Sequence, residues 1–162
     1  MKPEGIADTC FCIDLWYGQL LDQLSFFRVQ IVIPDIVSGE LKNPDIRPFI
    51  DSGVKIRSAK PEEVRLVEEL SQRYRKNSVA DCFALAMAKS HNVLLLTNDK
   101  HLRVAAAQES IKVKGILWLL DSLEGQVSCD RLGSALERML AKNSRLPLDE
   151  CRVRLAKWRP GT

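Results

Sequence analysis

The spacing of hydrophobic positions changes along this chain, and the changes predict where helices and strands lie. Residues 77–100, NSVADCFALAMAKSHNVLLLTNDK, show this most clearly. Ser78 with Asp81 three residues later has the Ser/Thr-x-x-acid form of a helix start. Residues 82–91 include Phe83, Ala84, Leu85, Ala86, Met87 and Ala88, so the predicted helix is apolar on nearly every side and therefore buried. His91-Asn92 ends it. Residues 93–96 are a short apolar run of the kind used in a sheet covered on both faces, and Thr97-Asn98-Asp99 follows at the carboxyl end of that strand.

The same reading extends over the rest of the chain. Residues 5–8 predict a strand ending in an acid, and Asp8 or Thr9 can cap the helix that follows, whose core face is marked by Cys12, Leu15, Trp16, Leu20 and Leu24. Residues 28–34, RVQIVIP, predict a second strand stopped by proline. Asp35 is expected to N-cap a short helix over 35–42, a helical turn follows at 46–50, and a third strand at 53–56. Pro61 suits a first helical position, and Val64, Val67, Leu70 and Tyr74 form a stripe beside Glu62, Glu63, Arg65, Glu68, Glu69 and Arg73, which reads as a solvated face. Further on lie a helix over 102–108, an edge strand at 111–113 and a helix at 116–123. Leu132, Ala135, Leu136, Met139 and Leu140 mark one last helix, and Leu148, Cys151, Leu155 and Trp158 another.

Strands alternating with helices predict an α/β fold, with a parallel sheet and right-handed crossovers. Ligands of such sheets sit beyond the carboxyl ends of the strands, where the strand order reverses. Asp8, Asp35 and Asp99 all fall at predicted carboxyl ends. Strand four lying beside strand one makes Asp8 and Asp99 neighbours. Glu40 shares a helix face with Ile36 and Val37, and a carboxylate on an apolar stripe needs a partner. Glu40 and Asp81 can reach the same crevice from its flanks. Carboxylates gathered in one crevice repel each other, and a hard divalent cation relieves the repulsion. Oxygen donors without His or Cys suit Mg²⁺ or Mn²⁺. Such an ion acidifies a bound water into a nucleophile, and a second ion about 4 Å away would stabilise a leaving oxygen.

Each acid also has a plain structural role open to it. Asp81 can be the third residue of a capping box, and Asp8 and Asp99 can be helix caps. Asp14 is expected to be exposed on the first helix. Lys100, His101 and Arg103 follow Asp99 directly and can contact phosphates or simply be solvated.

Composition narrows the class. With 162 residues, 46% hydrophobic and 28% charged, the chain is large enough for a real core and is not of disordered composition. No apolar run has the length of a membrane span, and the start lacks a signal-peptide core, so a cytoplasmic protein is expected. Five cysteines, an odd number without CxxC spacing, predict reduced and mostly buried thiols; Cys10 and Cys12 lie near the acids, where a redox switch is the alternative. The net charge of +3 is uneven: residues 130–159 hold eight Lys/Arg against four Asp/Glu, which leaves the remainder near −1. That basic tail, with Arg145, Arg152, Arg154, Lys157 and Arg159, can track an RNA backbone. Its apolar positions can equally pack on the domain or on a second subunit.

Four segments in order, I-A-D-T with Asp8 and Thr9, I-P-D-I-V-S-G-E-L with Glu40, S-V-A-D with Asp81, and L-L-L-T-N-D-K with Asp99, resemble the PIN-domain nucleases, and among them the toxin-like branch related to VapC. The resemblance covers residues 1 to about 120. It implies a PIN-like three-layer fold with a five-stranded parallel sheet of order 3-2-1-4-5. It also implies a metal-dependent endoribonuclease, using Mg²⁺ or Mn²⁺ and leaving 5′-phosphate and 3′-hydroxyl ends. By position, Asp8, Glu40, Asp81 and Asp99 match the acidic quartet, with Asp8, Asp81 and Asp99 as metal ligands. Thr9 matches a hydroxyl residue that supports the first Asp and by the same logic could orient Asp99; Thr97 is expected as a second supporting hydroxyl. Lys100 and Arg103 are expected on the nucleic acid. A small antitoxin partner and a homodimer go with this branch. The chain departs at Cys10, where many relatives carry Asn, Ser or another small residue. Residues 1–124 are expected to form the nuclease domain and residues 125–162 a helical extension. The rivals are a catalytically silent binding module of the same fold, and a phosphotransfer domain using Asp8 as nucleophile, which lacks the expected second Asp where Cys10 stands.

Overall fold

The structure, a computed structural model, describes residues 1–161. Five short strands, β1 (Glu4–Ala7), β2 (Gln30–Pro34), β3 (Lys55–Arg57), β4 (Leu94–Leu96) and β5 (Val113–Lys114), form one sheet in the order β3-β2-β1-β4-β5. All pairings are parallel, and Ile6 of β1 stands opposite Val32 of β2 on one side and Leu95 of β4 on the other. The helices are α1 (Thr9–Tyr17), α2 (Asp35–Glu40), α3 (Arg47–Asp51), α4 (Pro61–Arg73), α5 (Val79–His91), α6 (Lys100–Gln108), α7 (Ile116–Ser122), α8 (Cys129–Ala141) and α9 (Leu148–Trp158). The expected α/β class and strand order are thus found.

Alternation along the strands divides the core into two layers, as a sheet covered on both faces requires. Ile6, Val32 and Leu95 pack with Val67 and Leu70 of α4, Leu85 and Met87 of α5, and Leu102 of α6. Ala7, Ile31, Ile33 and Leu96 point the other way, into a larger cluster with Phe11 and Leu15 of α1, Leu117 and Leu120 of α7, and Leu136 and Met139 of α8. Cys151 and Trp158 of α9 belong to the same cluster.

Four expectations are corrected. The helix expected to run through Leu24 ends at Tyr17: Gly18 occupies its C-cap and Gln19 turns the chain with φ +54°, after which Leu21–Phe26 is a separate 3₁₀ helix. Leu20 and Leu24 still reach the core from that second element, whereas Trp16 is left 39% exposed. Asp35 is the first residue of α2 rather than its cap, and it accepts a hydrogen bond from Ser58 Oγ at 3.0 Å. Glu63 is not solvated; it is 1% exposed, because an acid at the third helical position turns back on the helix start. There Oε1 accepts from the Lys60 amide at 2.8 Å, while Oε2 lies 3.2 Å from His91 Nε2. All five thiols are free and three of them, Cys12, Cys82 and Cys151, are buried, but Cys10, expected to be buried with Cys12, is exposed, as is Cys129. Among the described residues, no helix is long and apolar enough to cross a membrane.

Candidate active site

Asp8 directly follows the central strand β1 and lies where the sheet reverses between β2 and β4. Its amide donates to the Leu96 carbonyl at 3.2 Å, which continues the β1–β4 pairing by one step. The side chain caps α1: Oδ1 accepts from the Phe11 amide at 2.8 Å. Oδ2 accepts from the Thr97 hydroxyl. The residue is 1% exposed, so nearly all of its polar demand is met by those two donors.

Thr97 connects Asp8 to Asp99. Its Oγ1 donates to Asp8 and accepts from the Asp99 amide at 2.9 Å, while Asp99 Oδ1 caps α6 by accepting from the Leu102 amide at 2.8 Å. Asp81 is held from the other side of the crevice by a reciprocal capping box, in which Ser78 N donates to its Oδ2 and Asp81 N donates to Ser78 Oγ, both at 3.0 Å. Glu40 closes α2 and is exposed; its Oε1 accepts from Thr9 Oγ1 at 2.5 Å. Thr9 therefore supports Glu40, and the support of Asp8 and Asp99 falls to Thr97. Each acid at a helix start is both a cap and a member of the group, so the two readings of these residues are compatible.

The acids sense one another. Burial pushes the Asp8 carboxyl up to about 7, against the pull of the Thr97 and Phe11 hydrogen bonds, and the charges of Asp81 and Asp99 raise it further. Burial also raises Asp81, opposed by the Ser78 backbone and hydroxyl and reinforced by Asp99 and Glu40. A cation placed among these oxygens would reverse that penalty, and hard carboxylate donors suit Mg²⁺ or Mn²⁺. Among the described residues, no three His, Cys, Asp or Glu side chains are gathered closely enough to hold an ion directly. Water must complete such a shell, as it commonly does for Mg²⁺.

Three residues missed from the sequence build the adjoining wall. Asp14, expected on the surface, is 6% exposed. Its Oδ2 accepts from Asn98 Nδ2 at 3.1 Å and its Oδ1 from Ser144 Oγ at 2.5 Å. Burial raises its carboxyl above the usual range, and those two hydrogen bonds pull it back. Asn98 also accepts from the Ile116 amide at 3.1 Å, so it ties α7 to the same spot. The only sequence signal was Asn98 standing beside Asp99; nothing local marked Ser144. A cavity of about 610 Å³ opens here, between Asp14, Asp99 and the turn that joins α8 to α9. Lys100 and His101 border it, whereas Arg103 directs its guanidinium to the Thr97 carbonyl at 3.4 Å. Cys10 also borders it. Although the side chain reaches the surface, partial loss of solvent, then the charges of Asp8, Asp99, Asp14 and Asp81, push that thiol up to about 12, which leaves little thiolate for redox chemistry.

A family model described as a PIN domain matches residues 5–160, nearly the whole chain including α8 and all of α9. The chain belongs to the PIN-domain family. No protein of curated function matches it significantly. Among solved structures, it is similar to a PilT N-terminus domain protein from the hyperthermophilic archaeon Sulfolobus solfataricus P2, at 21% identity and a TM-score of 0.54, covering 75% of this chain and 94% of that one. That likeness concerns the fold. Two looser similarities are to VapBC2 from Rickettsia felis bound to a DNA fragment from their promoter (16% identity, TM-score 0.49, 69% of this chain and 98% of that one) and to a domain of a functionally unknown protein from Methanocaldococcus jannaschii (22%, 0.48, 70% and 90%).

Proposed function

We propose that this PIN-domain protein is a metal-dependent endoribonuclease. The observation that carries the reading is Asp8: a carboxylate buried at the reversal of the sheet, pressed by the charges of Asp81 and Asp99 and held by donors that leave it no role in a salt bridge. A protein that only binds phosphates gains nothing from acids in its crevice, since they repel the nucleic-acid backbone. Asp8, Asp81 and Asp99 would hold Mg²⁺ or Mn²⁺ with the help of water. When bound, the ion supplies a Lewis acid and an acidified water for in-line attack on phosphorus. The chain's own part is positioning. Thr97 sets Asp8 and Asp99 relative to each other, Ser78 fixes Asp81, and Thr9 steers Glu40, whose exposed carboxylate either adds a ligand or orients the attacking water. Breaking the P–O3′ bond gives a 5′-phosphate and a 3′-hydroxyl. An antitoxin-type partner, a homodimer and a separate role for residues 125–162 rest on the sequence resemblance; a short upstream reading frame for a DNA-binding protein would support the first, and light scattering would test the second.

The test is cleavage of single-stranded RNA with Mn²⁺. Asp81→Asn keeps an acceptor for the Ser78 amide, so the helix cap survives, and activity should fall by two orders of magnitude or more, in the range that loss of one preorganised charged group costs. An Asp81→Asn protein that cleaves as fast as the parent would refute the site. That no three acids among the described residues are gathered closely enough to hold an ion directly favours a second reading, a silent binding module, which would show neither product nor a Mn²⁺-dependent rise in melting temperature.

A further inference from the structure

The basic tail does not present its charge uniformly. Along α8 and α9, Arg131 pairs with Asp22 at 2.6 Å, Arg152 with Asp149 at 3.2 Å, Arg154 with Asp121 at 2.6 Å and Lys157 with Glu124 at 2.8 Å. Arg159 lies 3.3 Å from both Asp130 and Glu137. Lys142 and Arg145 differ: both are exposed and, among the described residues, neither has a carboxylate partner. They stand in the turn between α8 and α9, where that turn forms the far side of the 610 Å³ cavity opposite Asp99.

The turn is fastened in place. Ser144, between the two cations, donates to buried Asp14, and Leu146 just beyond them is 7% exposed within the core. Lys142 Nζ lies 5.7 Å from the centre of the Tyr17 ring, and both residues line this cavity as well as a second, mostly apolar groove of about 680 Å³ that Trp16 also borders. Cations in a row beside accessible aromatic rings are what a single nucleic-acid strand requires, phosphates meeting the charges and bases stacking on the rings. The acids alone would repel such a strand, so a compensating rim is needed on the approach.

Building on the nuclease reading above, we propose that the α8–α9 turn is the second wall of the substrate channel, with Lys142 and Arg145 gripping phosphates of a single-stranded RNA and Tyr17 and Trp16 offering stacking faces to its bases. Specificity for the strand then resides in the C-terminal helices and catalysis in the sheet.

The experiment measures binding apart from cleavage. A short fluorescent single-stranded RNA is titrated with the Asp81→Asn protein and with the same protein carrying Lys142→Ala and Arg145→Ala, by anisotropy at several salt concentrations. Affinity should fall about tenfold, and the salt dependence should flatten by about one in log–log slope, as loss of one or two phosphate contacts predicts. Arg152→Ala with Lys157→Ala, whose charges are already paired, should change affinity less than twofold, and Lys142→Arg with Arg145→Lys should restore it. Tyr17→Leu should weaken binding without altering the salt slope. In the otherwise unchanged enzyme the Lys142/Arg145 pair should raise KM and leave kcat within a factor of three. Unchanged affinity and unchanged KM overturn the proposal, as does a protein that binds no RNA at all. If the parent binds RNA and loses it as described but makes no product with Mn²⁺, the channel stands and the nuclease reading falls.

Discussion

Replacing Thr97 by valine keeps the shape of the side chain and removes one oxygen, yet that oxygen serves two acids. Asp8 Oδ2 would lose its donor and the Asp99 amide its acceptor, both in a place water does not reach easily. A buried polar group left without its partner costs about 1–3 kcal/mol. Thr97→Val should therefore lower stability by about that much in a urea titration and reduce the Mn²⁺-induced rise in melting temperature, while Thr97→Ser should retain both. The residue scale is also where the sequence was least readable. Asp8, Asp81 and Asp99 stood out because each follows a strand or starts a helix, positions that local pattern reveals. Asp14 looked like any polar residue on a helix, since the hydroxyl that buries it belongs to Ser144, 130 positions away. Glu63 looked solvated for a similar reason, its neighbour His91 lying on another helix.

Helices α8 and α9 dock through Gly133. A Cβ there would come within 2.6 Å of Arg159 Cγ, and Arg159 donates to Ser134 Oγ and the Asp130 carbonyl while facing Asp130 and Glu137. Helix propensity alone would make Gly133→Ala stabilising by about 1 kcal/mol. Here the methyl displaces the middle of the Arg159 side chain, which lies along the helix and is not a free end. The expected result is a lower melting temperature and faster amide exchange confined to α9. At this scale the sequence did well where caps and periodicity agree. Ser78 and Asp81 place the start of α5, and Pro61 that of α4. It failed for α1 because Gly18 and Gln19 turn the chain while the apolar spacing continues through Leu20 and Leu24.

Across the whole molecule, charge pairing sets the response to acid. Glu109, whose side chain is 5% exposed, would be raised by burial, but hydrogen bonds from Lys89, Tyr74 and Arg73 outweigh this and hold it at about 2, below its ordinary 4.5. A depressed carboxyl favours the folded state only while ionised. Its contribution is complete above pH 4.5 and is lost as pH falls from there through about 2. Urea unfolding of Glu109→Gln should show a loss that is constant from pH 6 to about pH 4.5 and shrinks from there toward pH 3, as the parent loses the Glu109 contribution. The strand order needed only the alternation of elements and the resemblance to be anticipated. Which basic residues remain unpaired required the fold, because the carboxylates that neutralise α9 are carried in part by α7 and the segment after it.

The bond between Thr97 and Asp8 spans 89 positions, and that between Ser144 and Asp14 spans 130. On a ribosome, this separation acts as a timer. Asp8 emerges well before Thr97, so it has no partner until β4 and Thr97 have been made, and the wall opposite Asp99 is absent until α8 and its turn have followed. A nascent chain of this protein thus exposes no assembled crevice to the RNA that surrounds it until the turn carrying Ser144 has emerged.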